Sequence, residues 1–383
     1  MNININKINF KILSYKIIMK ITKHIKSNKY IYMFIFLIII TLFYMCNFDT
    51  FYNNFFQLNM EIILFNEVCL FDENKTIIYG QYDNDNRNFS IEINPKLQLD
   101  IVFCKDRNDF YIEIPGKITH IDKITYRYNF IYKKNIEVVK KDIDLSFPFE
   151  NCNLNLNADS AIISTMCKDY SSRLDEWIQY NLNLGFSGII IFDNDENNNN
   201  VLKEPQKNIQ NNRTTSDICK KYNGKVWCVK FSYKPFKGIH WNSIQRISLH
   251  IGVNAFRNKC GKIALIDPDE FIHIPNKSNI NDFLLDYKGQ TLTMQSNILT
   301  NKSDDDVINN NILDLCFYIG KNLHTKTIID TTKLKHLEFI TTPHNHPTQI
   351  LLNKDTIIHY HCWVNSRYKY KENMSKIKLL KYK

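Results

Sequence analysis

Short runs of alternating apolar and polar residues dominate the chain between positions 50 and 150. Segments such as "FSIEI" (89–93) and "DFYIEI" (109–114) are rich in β-branched and aromatic residues, and turn sequences such as Pro115-Gly116 separate them. The pattern predicts a small β-sandwich-like accessory domain over residues 50–150. Its acids and hydroxyls form no catalytic constellation, so a structural role is favoured over glycan binding.

The pattern changes after residue 158, where longer apolar runs alternate with helical periods. Four runs are predicted to be buried strands: "AIISTMC" (161–167), "SGIIIFDND" (187–195), "KVWCVKFSY" (225–233) and "KIALI" (262–266). Between the first two, Leu174 and Trp177 share one helical face, and Gly185 ends the helix. We therefore expect an α/β fold with a Rossmann-like, mostly parallel sheet over residues 158–375, which binds its ligand at the carboxyl ends of the strands.

The first 48 residues have the pattern of a membrane anchor. Residues 1–29 contain seven lysines and no acid, and residues 30–46 contain no charge. A basic head before an apolar run predicts a cytosolic tail (1–29), a transmembrane signal anchor (30–48) and a body in the lumen of the Golgi or endoplasmic reticulum. A cleaved signal peptide is the alternative, but the apolar run is long for one and no small-residue cleavage site follows it.

The net charge of +10 comes from the two ends of the chain. The lysines of residues 1–29 and the basic residues of 367–383 exceed it together, so the intervening body is slightly acidic. This distribution argues against a nucleic-acid-binding surface. Nine of the ten cysteines lie beyond the apolar run, where an oxidising lumen would let some of them pair, and no spacing matches a zinc site.

The strongest chemical signal is "IALIDPDEFIHIP" (263–275), in which Asp267, Asp269 and Glu270 directly follow an apolar strand. Two carboxylates two residues apart, on a turn stiffened by Pro268, can converge on one hard divalent cation. Mn²⁺ or Mg²⁺ held in this way neutralises a diphosphate leaving group. The alternative interpretation is an acidic turn that caps the next segment.

Taken with "SSRLDEWIQYNLNLGFSGIIIFDND" (171–195), this stretch resembles the GT-A glycosyltransferases of family 92 and the related family 2-like group. Those enzymes share an L-x-E-W-I pattern, a D-N segment and a D-x-D-E-F metal motif, in this order. The resemblance covers roughly residues 160–370. It implies a GT-A catalytic domain, a metal ion, a nucleotide-sugar donor and a single-pass type II topology.

The resemblance also implies roles for individual residues. Asp267 and Asp269 match the metal motif, and Asp269 is the better placed for direct ligation. His359 or His361, in "IIHYHCW", corresponds to a closing segment that supplies a further metal ligand, although a half-buried strand is an equal alternative. The residues implied in binding the nucleotide sugar are Lys168, Asp169, Asp193, Asp195, Arg246, Asp267, Asp269 and Glu270. Lys168 and Asp169 replace the family's N-E pair, and so the chain departs from the family there.

His344 and His346 lie on a Pro-bounded loop and are the candidates for acceptor binding, although an ordinary loop is the favoured interpretation. The sequence thus predicts a membrane-anchored, metal-dependent glycosyltransferase. It would move a hexose, galactose by the family's example, from a UDP-sugar to a glycan or glycoprotein hydroxyl with inversion. The sequence identifies no catalytic base. A catalytically inactive, GT-A-like glycan-binding or scaffolding protein is the alternative; a metal-dependent phosphoesterase would need more ligands than the chain shows.

Overall fold

The structure is a computed structural model in which the chain forms two compact units, Met1–Met60 and Glu61–Lys383. The described residues are 62–82, 89–94, 97, 99–105, 107–130, 133–168, 171–195, 214–236, 239–275, 277, 279–300, 317–346, 349–352 and 357–362. The predicted basic tail (1–29) and anchor (30–48) lie outside them.

Within the described part of the chain, no helix is long and apolar enough to cross a bilayer. The prediction of a single-pass type II membrane protein is therefore not supported, since no described helix could span a membrane. The prediction was based on the charge and hydropathy of residues 1–48 alone.

The described residues before position 145 form strands that pair only in antiparallel fashion. They are β1 (Ile62–Leu64), β2 (Leu70–Asp72), β3 (Lys75–Tyr82), β4 (Phe89–Asn94), β5 (Asp100–Phe103), β6 (Asp109–Pro115), β7 (His120–Phe130) and β8 (Lys133–Asp144). One sheet has the order β1-β3-β6-β5, with β2 also on β3, and a second has the order β4-β7-β8. A 3-10 helix, Asn66–Val68, joins β1 to β2.

The remaining described elements build one nine-stranded sheet and the helices on it. They are β9 (Ala161–Cys167), α1 (Ser171–Leu184), β10 (Gly188–Asp193), α2 (Thr215–Lys220), β11 (Val226–Lys230), α3 (Asn242–Phe256), β12 (Lys262–Leu265), β13 (Glu270–His273), α4 (Ile280–Leu285), β14 (Thr291–Thr300), β15 (Phe317–Asp330), a 3-10 helix (Thr331–Lys333), β16 (Gln349–Leu351) and β17 (Ile358–Cys362). The strand order is β11-β10-β9-β12-β15-β14-β17-β13, with β16 on β14.

The first half of this sheet follows the sequence prediction. β11, β10, β9 and β12 are parallel neighbours. Helix α1 buries Leu174, Trp177 and Ile178 completely. Gly185 ends this helix with φ of +104°, a left-handed conformation that favours glycine. Apolar spacing therefore located this βαβ unit correctly.

The prediction of a mostly parallel, Rossmann-like α/β fold is wrong for the molecule as a whole. Strand predominates over helix in the described residues, and β15 pairs antiparallel with both β12 and β14, as β13 does with β17. A parallel connection needs a crossover of a dozen or more residues, usually a helix. After β12 the described chain offers only the six-residue α4, and the long strands β14 and β15 run in opposite directions.

Two hydrophobic clusters lie on the two faces of the nine-stranded sheet. One contains Trp177 and Ile178 of α1 with Ile272 of β13. The other contains Ile244 and Ile247 of α3, and it also includes apolar residues of the first antiparallel sheet: Phe65, Val68, Leu70, Ile77, Tyr79 and Tyr111. The β-rich region and the nine-stranded sheet thus bury apolar side chains in common.

Candidate metal centre at the carboxyl end of β12

A tight turn joins β12 to β13 and brings three carboxylates together. The backbone N–H of Glu270 donates to the carbonyl oxygen of Asp267 at 3.0 Å, so Pro268 and Asp269 are the central turn residues. The Glu270 carboxylate accepts the backbone N–H of Asp267 at 2.8 Å. One carboxylate oxygen from each of Asp267, Asp269 and Glu270 lies within 4.8 Å of the others. This acidic cluster can hold a metal ion.

A lysine that the sequence analysis missed lies in this cluster. Strand β15 pairs with β12 so that Thr327 lies opposite Leu265, which brings Lys326 beside the turn. Its ammonium is 2.5 Å from Asp267 Oδ2 and 3.0 Å from Glu270 Oε2, and its side chain is only 3% exposed. A lysine in the alternating segment "HTKTIID" was the available signal, because Lys326 shares a strand face with the buried Ile328.

Helix α3 adds a second donor to the same aspartate. Gln245 Nε2 donates to Asp267 Oδ1 at 2.5 Å, so each carboxylate oxygen of Asp267 accepts one hydrogen bond. An oxygen of this kind keeps a lone pair for a further partner. Asp267 is thus held in a fixed orientation by α3 and β15.

Burial and the charges of the cluster shift the pKa values of Asp267 and Lys326. Burial raises the pKa of Asp267, and the carboxylates of Glu270 and Asp269 raise it further, against the opposing charge of Lys326. Burial alone would lower the pKa of Lys326, but the charges of Asp267 and Glu270 outweigh burial and hold it above its ordinary value. The lysine is therefore a fixed cation in the cluster.

A buried histidine points to the same place. His359 of β17 is completely buried, and its Nε2 lies 3.2 Å from Glu270 Oε2. Neither of its ring nitrogens has a hydrogen bond of acceptable geometry to any described residue. Buried polar atoms without partners are rare and call for an explanation such as an ion. The neighbouring Ser296, whose backbone pairs with that of His359, has a buried hydroxyl in the same condition within the described structure.

The other predicted metal ligand, His361, is only partly described. Its backbone lies directly opposite Glu270 in the antiparallel pairing of β17 with β13. Its side chain lies outside the described residues. The register therefore brings the histidine to the level of the acidic turn and fixes nothing more about it.

Two further predicted residues lie at the ends of the neighbouring parallel strands. Asp193 ends β10, where its Oδ2 is 3.4 Å from Lys230 Nζ, and Asp195 accepts the hydroxyl of Thr215 at 2.8 Å. Burial raises the pKa of Asp193, and the charge of Asp195 adds to this effect. Asp193 lies opposite Cys167 in the parallel pairing of β10 with β9. Asp193 and Asp195 therefore lie at the carboxyl ends of the parallel strands, where β12 leads into the acidic turn.

Lys168 follows Cys167 at this edge. Its ammonium lies 3.2 Å from the ring centroid of Trp241, which directly precedes α3. This cation–π contact holds the lysine next to the helix that carries Gln245. Asp169, its predicted companion, lies outside the described residues.

Arg246, which is predicted to bind the nucleotide sugar, makes an ion pair within the protein. Its guanidinium makes a two-bond ion pair with Asp109 of β6, at 2.5 Å and 3.1 Å, and Asp109 is completely buried. Asp109 also accepts the side-chain amide of Gln81 at 2.8 Å. The arginine therefore ties α3 to the first antiparallel sheet, while its neighbour Gln245 contacts Asp267.

The two histidines assigned to acceptor binding differ in position. His344 Nδ1 lies 2.7 Å from the carbonyl oxygen of Thr325, and its ring stacks on His324 at 4.9 Å, so it lies next to Lys326 along β15. The carbonyl can only accept, so the proton is on Nδ1. Burial lowers the pKa of His344 and that of His346. The backbone N–H of His346 donates to the side chain of Gln349 at 2.7 Å.

No protein-family model and no curated protein matches the chain. The likeness to glycosyltransferases therefore depends on the sequence motifs quoted above.

Proposed function

We propose that the chain is a metal-dependent glycosyltransferase that moves a hexose from a UDP-sugar to a hydroxyl of a glycan or glycoprotein. The observation that carries the proposal is the acidic cluster of Asp267, Asp269 and Glu270 beside His359, whose ring nitrogens have no hydrogen-bond partner among the described residues. The resemblance of the flanking motifs to glycosyltransferases supplies the substrate class.

Carboxylate oxygens are the ligands that a hard divalent cation takes, and Mn²⁺ or Mg²⁺ bound here would neutralise a diphosphate leaving group. Asp269 and Asp267 are the residues that would hold it. Glu270 Oε2 already accepts the backbone N–H of Asp267 and faces Lys326, so Glu270 shapes the turn. A neutral imidazole is a normal additional ligand for Mn²⁺, which is the role we assign to His359.

The remaining residues at the carboxyl ends of these strands would bind and orient the nucleotide sugar. Asp193 and Asp195 offer acceptors to the hydroxyls of a nucleoside, and Lys168 offers a cation to phosphate oxygens. In the transfer, the bond from the anomeric carbon to the diphosphate breaks and a bond to the acceptor oxygen forms. The acceptor's proton passes to a base. His344, which lies next to Lys326 along β15, is the residue that we assign to the acceptor.

A specific observation favours the alternative of a non-catalytic glycan-binding or scaffolding protein. Lys326 and Gln245 each donate one hydrogen bond to a carboxylate oxygen of Asp267. An aspartate held by protein donors in this way also fits a purely structural role. The two candidates differ in whether a nucleotide sugar is consumed.

The test is the release of UDP by the full-length protein from a panel of UDP-sugars, with Mn²⁺ and with EDTA. We expect release from one donor, its loss in EDTA, and a fall of about 100-fold or more in Asp269→Asn, because that variant loses a charge that acts on the leaving group. Asp286→Asn is the matched control, since Asp286 pairs with Lys277 on an exposed surface.

A folded protein that binds UDP with Mn²⁺ but consumes no donor would favour the non-catalytic alternative. Equal loss of activity in Asp269→Asn and Asp286→Asn would contradict the assignment of the metal centre.

A further inference from the structure

Two cysteine thiols meet between helix α2 and strand β11. Cys219 belongs to α2 and Cys228 to β11, and their thiol groups form a hydrogen bond with each other. Cys219 is buried and Cys228 is half-buried, and both pack in the hydrophobic cluster that contains Trp177 of α1. Sulfur atoms that already touch can form a disulfide without a large movement of the backbone.

The path of the chain explains why the two thiols meet. The backbone N–H of Val226 donates to the carbonyl oxygen of Tyr222 at 2.9 Å, so the chain reverses direction directly after α2. Strand β11 then runs parallel to β10, with Cys228 opposite Ile191, whose side chain belongs to the same hydrophobic cluster. Side chains alternate between the two faces of a strand, and this register turns Cys228 toward the face on which Cys219 lies.

We propose that Cys219 and Cys228 form a modification site at which a small disulfide, such as oxidised glutathione, introduces a covalent cross-link between α2 and β11. This inference goes beyond glycosyl transfer and does not depend on it. Its basis is the direct contact of two thiols on neighbouring elements of the fold.

The cross-link forms in two exchange steps. The half-buried Cys228 is the more accessible thiol, so its thiolate attacks one sulfur of oxidised glutathione and one glutathione thiolate leaves. The thiolate of Cys219 then attacks the Cys228 sulfur of the mixed disulfide, and the second glutathione thiolate leaves. Two protein thiols are oxidised, one disulfide of the reagent is reduced, and the released thiolates take up the two protons. The hydrogen bond with Cys228 and burial raise the pKa of Cys219, which agrees with its reacting second.

The cross-link would act on the face of α2 that contacts Asp195. Thr215 and Cys219 are both buried, and their spacing of four residues puts them on the same face of the helix. The hydroxyl of Thr215 donates to Asp195 Oδ2 at 2.8 Å. A helix of six residues has little stability of its own. A covalent bond to β11 would therefore hold α2, and with it Thr215, in place beside Asp195.

The experiment incubates the full-length protein with oxidised glutathione and, in parallel, with reduced glutathione. Remaining thiols are alkylated, and the peptides are analysed by mass spectrometry. We expect most molecules of the oxidised sample to contain a peptide pair linked through Cys219 and Cys228. Amide hydrogen exchange over residues 214–222 should be about tenfold slower in the oxidised sample than in the reduced one.

Two variants complete the experiment. Cys228→Ala should lose both the cross-link and the difference in exchange. Cys69→Ala should keep both, because Cys69 is a buried cysteine whose thiol donates to the carbonyl oxygen of Asn66 at 3.3 Å. The unaltered chain alone shows whether the cross-link forms, so the inference can be tested even if Cys228→Ala does not fold.

Three outcomes would overturn the inference. The first is the absence of any linked peptide pair, and the second is a lasting mixed disulfide between Cys228 and glutathione, which would mean that Cys219 does not reach it. The third is a link from either cysteine to Cys167, whose thiol lies 3.7 Å from the hydroxyl of Thr215. A Cys219–Cys228 link that leaves the exchange of residues 214–222 unchanged would overturn its effect on α2.

Discussion

Two lysine–carboxylate ion pairs lie at opposite ends of the pairing between β12 and β15. Lys262 pairs with Asp330 at 2.8 Å, and Lys326 pairs with Asp267 at 2.5 Å. Both ammonium groups are almost completely shielded from solvent, although the Asp267 side chain is 31% exposed and that of Asp330 only 2%. The main difference lies in what surrounds each pair.

At the Lys262 end, charge and hydrogen bonding balance within the protein. The ammonium donates to the carbonyl oxygens of Tyr287 at 2.8 Å and Gln290 at 2.5 Å. Asp330 accepts the backbone N–H groups of Gly289 at 2.7 Å and Thr332 at 3.0 Å. One cation meets one anion, and each has further partners. Such a pair holds two strands together and needs no ligand.

At the Lys326 end, the ammonium lies in a cluster of acids. It contacts Asp267 and Glu270, and Asp269 completes the cluster. The ring of His359 lies against Glu270 without a hydrogen-bond partner among the described residues. Crowded carboxylates and buried nitrogens without hydrogen bonds are both costly in a protein interior, and a bound cation would relieve both. We therefore interpret the Lys326 end as the candidate binding site of the two.

The largest effect is expected from breaking the balanced pair. Lys262→Met leaves the Asp330 carboxylate buried without its counter-ion, and we expect the free energy of unfolding to fall by about 3–5 kcal/mol. Urea denaturation followed by circular dichroism measures it. Lys288→Met is the control, because Lys288 meets Asp159 at 3.4 Å with both side chains mostly exposed. Equal losses in the two variants would refute the structural role of the buried pair.

An intermediate effect is expected from replacing the orphaned histidine. In EDTA, the free energy of unfolding of His359→Leu should be close to that of the unaltered chain, because the ring of His359 makes no hydrogen bond to a described residue. The same variant should bind Mn²⁺ about tenfold more weakly. Calorimetric titration and urea denaturation of one preparation give both quantities.

The matched control for this variant is His250 of α3, which is also completely buried. His250 Nε2 lies 2.6 Å from the carbonyl oxygen of Ile340, so His250→Leu leaves that carbonyl without its donor. We expect it to cost about 1 kcal/mol or more in unfolding free energy while Mn²⁺ affinity stays unchanged. Unchanged Mn²⁺ affinity in His359→Leu would remove His359 from the metal centre.

The sequence predicted those parts of the fold and site that are local in the chain. The spacing of Leu174, Trp177 and Ile178, followed by Gly185, is enough to define α1 and the βαβ unit. Asp267 and Asp269 could be found because a single turn holds them. The information lies within a few residues in each case.

The missed parts depend on partners far along the chain. Lys326 lies 59 positions after Asp267 and reaches it only because β15 pairs with β12. Alternation of polar and apolar residues marks β14 and β15 as strands, but it does not specify which strand they pair with or in which direction. For the same reason the mixed sheet was predicted as a parallel one, and nothing in the sequence indicated that Asp109 pairs with Arg246.

The smallest effect concerns pH, and it separates an acid of the balanced pair from an acid at the candidate site. The pKa of Asp330 lies below its ordinary value of 3.8: burial opposes this, but the hydrogen bonds and charge of Lys262, with help from Thr332, outweigh burial. The stability that Asp330 contributes is therefore present above about pH 4 and is lost as the pH falls through its lowered pKa. The free energy of unfolding that Asp330→Asn loses relative to the unaltered chain should therefore become smaller as the pH falls.

Asp193 should show the opposite sign. Burial raises its pKa above 3.8, so ionising it costs the folded state stability, and its contribution is lost as the pH rises through the raised pKa. The free energy of unfolding of Asp193→Asn relative to that of the unaltered chain should therefore be higher at pH 7 than at pH 3.5. Urea denaturation of both variants over this range measures the two slopes. Slopes of the same sign would mean that the protein stabilises the ionised form of Asp193 as it does that of Asp330. The predicted difference between these two acids would then be wrong.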